Sequence, residues 1–211
     1  MDWGVQIERR GLKMNIIERT KNIILRPSQT WAEIKDEQMS IGEIYLSYAV
    51  IIAAIPAIGQ FIGNAFIGYS VMGLHFRMGI VSAIGYSIVS YVLSLVRIYI
   101  SALIANALAP SFGSEQNLTN AVKVVAFSMT PSWIAGVLYI IPPLSILAIL
   151  AGLYGIYLFY LGLPLLMNTP KDKALIYVII VIVLTIVVYF LIGAITSAIF
   201  IAGPVGRGII E

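Results

Sequence analysis

The sequence predicts an all-α polytopic membrane protein, in which a bundle of five transmembrane helices follows an amphipathic cytoplasmic N-terminal segment. Of the 211 residues, 60% are hydrophobic and only 11% are charged, whereas about a quarter of an average soluble domain is charged. The mean hydropathy is +0.95, and several charge-free runs are long enough for a helix to cross a bilayer. The composition therefore excludes a soluble globular protein.

Uncharged apolar runs define the predicted spans. A bilayer core requires about 20 consecutive apolar residues, and the runs place the five spans at roughly 44–67, 79–108, 123–141, 144–167 and 174–201. Pro142-Pro143 divides one continuous run into the third and fourth spans, because a proline and the residue before it both resist helix. The Val- and Ile-rich runs do not alternate with polar residues, which argues against membrane β-strands.

The distribution of Lys and Arg predicts the orientation of the chain. Basic residues concentrate in the N-terminal segment, and those of the loops after spans two and four fall on the same side of the membrane. Cytoplasmic loops carry the excess of Lys and Arg, so we expect a cytoplasmic N-terminus and an outside C-terminus in the inner or plasma membrane of the cell. The chain then divides into a cytoplasmic segment at 1–43, a transmembrane domain at 44–203 and a short outside tail at 204–211.

The N-terminal segment is basic and amphipathic. Isoleucines recur on one face of a predicted helix over residues 12–25, Pro27 ends that helix, and Thr30-x-x-Glu33 predicts a capping box that opens a second one. Such a helix is expected to lie on anionic lipid headgroups. The candidate lipid contacts are Arg19, Lys21, Arg26 and Trp31, with Trp31 at headgroup level. A plain basic anchor and a docking surface for a protein are the alternatives. The net charge of only +3 argues against nucleic acid binding.

The second span carries a charged residue at membrane depth. Three or four residues separate successive members of a polar stripe on one helix face: Ser87, Ser90, Ser94, Arg97 and Ser101, with Asn106 further along. A charge at this depth costs about 3 kcal/mol or more, and the predicted spans contain no Asp or Glu to neutralise it. Two alternatives stay open for Arg97: it extends to the cytoplasmic interface, or it faces a polar cavity. Gln60 and Asn64 of the first span are further candidates to line such a cavity.

Small residues and prolines within the spans indicate close helix contacts. Gly59-x-x-x-Gly63 in span one and Gly193 in span five are candidate helix-packing positions, either inside the bundle or at a seam between copies. Prolines also interrupt three spans, as kinks or as the broken helices of a transport site. They are Pro56, Pro131 and Pro164.

The sequence offers little material for catalysis. General acid–base chemistry needs paired titratable groups, and the predicted spans contain none. Zero cysteines exclude thiol chemistry and disulfides, and a single histidine, His75 in a predicted loop, leaves no histidine-rich metal centre. We therefore expect no enzyme activity, no catalytic or metal-binding residues and no cofactor.

Three stretches of the sequence resemble the Yip family of five-span membrane proteins. They are AVKVVAFSMTP from Ala121, the pair Pro142-Pro143, and GLYGIYLFYLGLPLLMNTPKDKA from Gly152. The segment from Pro27 to Ile34 is similar to the one that precedes span one in the short prokaryotic inner-membrane branch, and the resemblance runs from residue 15 to near residue 200. It implies five helices with a cytoplasmic N-terminus. The acidic Asp-Leu-Tyr-Gly-Pro type of motif of eukaryotic, Rab-associated members is missing here, so Rab binding does not carry over.

Two functional hypotheses follow from the sequence. The first is a non-enzymatic plasma-membrane protein that organises or shapes membrane through lipid and protein contacts, with anionic headgroups, a second copy or another membrane protein as partners. The second is a small transporter or channel that favours anions through the stripe at Arg97. The position of Arg97 separates them, because an interfacial arginine supports the first hypothesis and a water-filled core supports the second.

Overall fold

The computed structural model describes residues 15–71 and 74–201. Two short helices come first, α1 (Ile16–Leu25) and α2 (Pro27–Asp36). Five helices of the described residues are then long and apolar enough to cross a membrane: α3 (Ile41–Ile67), α4 (Ile80–Phe112), α5 (Leu118–Ile140), α6 (Pro142–Leu166) and α7 (Lys171–Ile201). The predicted all-α, five-span class is confirmed. The predicted outside tail at 204–211 and residues 1–14 lie outside the described residues.

A small β-hairpin joins α3 to α4. Strands β1 (Tyr69–Val71) and β2 (Leu74–Phe76) pair antiparallel, with Tyr69 opposite Phe76. Gly68 ends α3 with φ of 74°, a left-handed conformation that glycine adopts without steric cost. The sequence predicts a loop here, because strands of three residues are too short to give a periodic signal.

Capping residues and prolines set the ends and breaks of the long helices. Ser40 and Glu43 form a capping box at the start of α3, where the Ser40 N–H donates to Glu43 Oε2 at 2.7 Å and the Glu43 N–H donates to Ser40 Oγ at 3.2 Å. Pro131 follows a break in α5 at Met129, since proline supplies no backbone donor. Pro142 opens the tight 3₁₀ turn at the start of α6, which is the turn that the double proline predicted.

The start of α2 differs from its prediction. The helix begins at Pro27, directly after α1, because the fixed φ of proline suits the first turn of a helix. Thr30 therefore lies inside α2, where its hydroxyl donates to the Arg26 carbonyl at 2.9 Å. The predicted capping box at Thr30 and Glu33 is wrong.

The helix pair α1–α2 packs into the bundle. Ile23, Trp31 and Ile34 are each 0% exposed. The Trp31 ring meets Phe127 of α5 edge to face, with 6.3 Å between centroids, and it lies over Gly162 of α6. The prediction that Trp31 sits among lipid headgroups is wrong, because α5 and α6 cover its ring completely.

The same helix pair extends alongside the spans. Tyr154 of α6 donates its hydroxyl to the Ile24 carbonyl of α1 at 2.6 Å. At the helical rise of 1.5 Å per residue, Tyr154 lies about 18 Å before Leu166, the end of α6. The pair α1–α2 therefore packs against α6 over part of the length of that helix.

Charged groups hold α1, α2 and α5 together. Arg19 of α1 pairs with Glu33, with 3.4 Å between Nη1 and Oε2, and with Glu37. Lys123 of α5 is only 3% exposed, and its Nζ donates to the carbonyls of Ile34 at 3.0 Å and Glu37 at 2.5 Å. A cation at the end of α2 satisfies the carbonyls that a helix C-terminus leaves unpaired.

Helix α5 is the most enclosed span. In the most apolar 18-residue stretch of α5, 67% is buried inside the protein, against 22–33% in the corresponding stretches of the other four spans. Helix α3 approaches it closely, since a Cβ at Gly59 would overlap the Gly136 carbonyl and one at Gly63 would overlap that of Tyr139. The Gly59 and Gly63 positions therefore lie at a contact within one chain. At Gly193 of α7, a Cβ would meet none of the described residues within 4 Å.

Candidate functional site

A polar cavity lies inside the bundle, between α3, α4, α5 and α7. Its volume is about 390 Å³, within the range of ligand sites in proteins. Arg97 supplies its formal charge, and the uncharged polar side chains around it include Gln60, Tyr86, Ser90, Tyr91, Ser94, Ser132, Tyr139 and Tyr189. Pro56 of α3, which lines the cavity, also contacts α5 closely, since a Cβ on Gly136 would lie 2.4 Å from Pro56 Cβ.

The stripe on α4 divides between environments. Ser90, Ser94 and Arg97 line the cavity together. Ser87 and Ser101 are buried but face two other cavities. Asn106 lines none of these cavities; its backbone carbonyl accepts from Gln116 at 3.2 Å. At 3.6 residues per turn the five residues from Ser87 to Ser101 span only about 80° of the helix face, so the divergence depends on which neighbouring helices lie opposite each level of α4.

Arg97 lies deep in the bundle. It is near the middle of α4, about 25 Å from Ile80 and about 22 Å from Phe112 at the helical rise. Its guanidinium carbon lies 5.1 Å from the centre of the Tyr189 ring, a cation–π distance. In the part of the chain that the structure describes, Nε of Arg97 is buried without a hydrogen-bond acceptor, and the ion pairs leave Arg97 out. Arg97 thus faces a polar cavity, while its depth in the bilayer stays a prediction.

A second polar cavity continues the first toward the β-hairpin. Its volume is about 190 Å³, and it shares Gln60, Tyr86 and Tyr139 with the Arg97 cavity. Tyr69 of the hairpin donates its hydroxyl to Asn64 Oδ1 at 2.8 Å at this end. Partial burial raises the pKa of Tyr69, so the phenol stays protonated and remains a donor at neutral pH. The two cavities place polar groups from the hairpin to the middle of α4.

An apolar groove borders the Arg97 cavity on its other side. It lies between α5, α6 and α7 and has a volume of about 530 Å³. The two spaces share three wall residues, Met129, Ser132 and Tyr189. Gly152 and Gly155 of α6 face the groove, and Gly155 comes so close to α5 that a Cβ there would lie 2.7 Å from the Ser128 carbonyl oxygen.

The predicted lipid contacts occupy different surroundings. Arg19 is held by carboxylates of α2, with its side chain 10% exposed, and Trp31 is buried. Lys21 and Arg26 are exposed on α1. The exposed part of this helix therefore retains two of the four predicted residues, and the bundle takes up the other two.

Sequence reasoning missed the tyrosines of the cavity. Tyr86 precedes Ser90 by one helical turn and could have extended the stripe, as the spacing rule for one helix face allows. Tyr139 and Tyr189 come from α5 and α7, and only the packing of those helices brings them to Arg97. Gln60 and Asn64, which the sequence did single out, line the cavities.

The chemistry of the Arg97 cavity is that of anion recognition. A guanidinium surrounded by hydroxyl and amide groups offers donors to an oxyanion, and carboxylates are absent from the residues that line the cavity. Groups of three or more His, Asp or Glu that could hold a metal ion do not occur among residues 15–71 and 74–201.

The fold and its cavity define a multi-pass helical membrane protein with a cationic internal site. Within that class the chain belongs to the Yip1 domain family, because the model of the Yip1 domain matches residues 21–193. This confirms the family resemblance read from the sequence, and the match takes in α2, the helices from α3 to α6, and α7 as far as residue 193. No curated protein and no solved structure matches the chain.

Proposed function

We propose that the protein is a non-enzymatic membrane transporter of the Yip family that binds anionic groups at Arg97. The observation that carries the proposal is Arg97 in a polar cavity without a carboxylate in its lining, with a buried Nε that has no acceptor among the described residues. A charge held at this depth costs several kcal/mol unless a partner neutralises it. A bound anion would supply that partner, and a permanent positive charge would select it over cations.

The run of polar side chains suggests a route for the anion. The second cavity extends from Gln60 to the β-hairpin, on the side that the distribution of Lys and Arg assigns to the exterior. In this orientation, with the N-terminus in the cytoplasm of the cell, the Arg97 site communicates with the outside. Tight contacts of Gly59 and Gly63 with α5 lie beside this route, so a rocking motion of α3 against α5 would change its width.

The test is anion flux into vesicles that contain the purified protein, with radiolabelled inorganic phosphate as the probe. Arg97→Gln is expected to lower the flux at least about tenfold, since a charge-assisted hydrogen bond contributes about 1.5–3 kcal/mol. Lys35→Gln is the control, because Lys35 is exposed on α2 and lines neither polar cavity. Equal flux in wild type and Arg97→Gln would refute the proposal.

The outer face of α1 favours a second candidate function, the organisation of membrane through lipid contacts. Ile17 is 76% exposed and Leu25 is 64% exposed, and Lys21 and Arg26 are exposed on the same helix. Apolar side chains beside cations suit a surface of anionic headgroups. Enrichment of phosphatidylglycerol around the protein in mixed nanodiscs should fall when Lys21 and Arg26 are both changed to Gln. Unchanged enrichment would remove this candidate. Self-association and contact with another membrane protein are proposed with it.

A further inference from the structure

We propose that the anionic ligand is a lipid, whose phosphate occupies the Arg97 cavity while one hydrocarbon chain lies in the groove between α5, α6 and α7. The inference rests on the proposed anion site and names its ligand class as an anionic glycerophospholipid. The juxtaposition of a cationic polar cavity and an apolar groove, with walls in common, carries it.

The polar cavity suits the headgroup. Nε of Arg97 has no acceptor among the described residues, and a phosphate oxygen is the acceptor for which a guanidinium fork is shaped. The hydroxyls of Ser90 and Ser132 lie in the same cavity and can donate to the remaining oxygens. A zwitterionic headgroup would add an ammonium group, and the lining offers no carboxylate to receive it. The charge therefore favours an anionic headgroup.

The apolar groove suits a hydrocarbon chain of the lipid. Most of its wall is apolar, with aliphatic side chains, Met129, Phe159 and two glycines, and five hydroxyl-bearing residues complete the lining: Ser101, Ser128, Ser132, Thr185 and Tyr189. Ile149 is 62% exposed and Leu153 is 58% exposed, although both line the groove. The groove therefore opens sideways, toward the face that meets lipid. A lipid can enter from the bilayer along this opening, whereas a soluble anion would have to come from water.

The residues shared by the Arg97 cavity and the groove determine the distance between the phosphate and the hydrocarbon chain of the ligand. Tyr189 contributes its ring to the cation–π contact with Arg97 and also lines the groove. Ser132 likewise faces both spaces. A ligand that crosses this wall must change from polar to apolar within the length of one side chain, as a glycerophospholipid does at its glycerol. The hydrocarbon chain of the lipid exchanges the apolar bilayer for the apolar groove, so selectivity comes from the phosphate at Arg97.

The experiment measures binding to the full chain in non-ionic detergent. Native mass spectrometry compares phosphatidylglycerol with phosphatidylcholine of the same chains, and calorimetry follows soluble glycerol phosphate. Wild type should prefer phosphatidylglycerol about tenfold, and Arg97→Gln should abolish the preference. Gly152→Leu fills the groove, since a Cβ at Gly152 meets only Ser132 Oγ, at 3.9 Å. This variant should weaken the binding of phosphatidylglycerol about tenfold and leave the binding of glycerol phosphate unchanged.

The control variants keep the test decisive. Gly193→Leu adds the same bulk to α7 where nothing lies within 4 Å, and it should bind lipid like wild type. If Gly152→Leu does not fold, Ile149→Trp narrows the mouth of the groove from its exposed edge and should weaken phosphatidylglycerol in the same way. Wild-type lipid binding by the folded groove variant overturns the lipid inference, as does equal binding of the two lipids by wild type. If glycerol phosphate still requires Arg97 in that case, the anion site stands. If Arg97→Gln changes the binding of neither phosphatidylglycerol nor glycerol phosphate, both proposals fail.

Discussion

Replacing Gly162 by alanine should loosen the helix pair α1–α2 from the bundle. A Cβ at this position would lie 2.9 Å from Cζ2 of Trp31 and 3.1 Å from both Cε2 and Cη2. These atoms belong to the indole ring, which cannot bend away. The ring is 0% exposed and also contacts Phe127. The added methyl must therefore push the ring or separate α2 from α6.

The expected cost is that of overpacking a filled core, about 1–3 kcal/mol. Alanine at Gly152, on the same helix, has only Ser132 Oγ near its Cβ, at 3.9 Å. There it should stabilise the protein by about 0.5–1 kcal/mol, because alanine loses less backbone freedom than glycine. The two Gly→Ala changes on one helix are thus expected to have opposite signs.

The assay is reversible unfolding in mixed micelles, with hydrogen exchange of the α1 and α2 amides as the local probe. Exchange in α1–α2 should accelerate in Gly162→Ala and stay unchanged in Gly152→Ala. Trp31→Phe removes the indole atoms that would clash. In the Trp31→Phe background, Gly162→Ala should therefore lower the free energy of unfolding by less than it does in the wild type. A double-mutant cycle measures this coupling. If Gly162→Ala is as stable as Gly152→Ala, the burial of Trp31 against α6 is wrong.

Three further changes probe the packing. Gly63→Ala should destabilise the bundle by about 3 kcal/mol, since its Cβ would overlap the Tyr139 carbonyl; Gly193→Ala, in open space, is the unfolding control. Arg19→Gln removes two ion pairs of α1 with α2 and should speed hydrogen exchange in α1 roughly fivefold, about 1 kcal/mol, whereas Lys21→Gln, at an exposed site, should not. Lys123→Met leaves two carbonyls of the α2 end without their donor and should cost about 1–3 kcal/mol in the same unfolding assay. Wild-type behaviour of the Arg19 or Lys123 variant would mean that these contacts do not hold α1–α2 in place.

The sequence by itself determined the five membrane-spanning helices. Each depends on a local property, the transfer of a long apolar run into hydrocarbon, which does not require knowledge of the neighbouring helices. The turn at Pro142 is equally local, because the missing donor and fixed φ belong to the residue itself. The family could be recognised for the same reason, since its motifs are contiguous stretches of the chain.

The tertiary structure alone decided how those helices are used. Whether Trp31 meets lipid or protein depends on the space that Gly162 leaves in another helix. An amphipathic pattern indicates only that one face is apolar, and both a bilayer and a bundle satisfy it. The same holds for Arg97. The free-energy cost of placing it at membrane depth follows from its charge and could be predicted from the sequence. Its cavity needs Tyr139 and Tyr189 from two other helices, and no spacing within α4 could predict that they meet there.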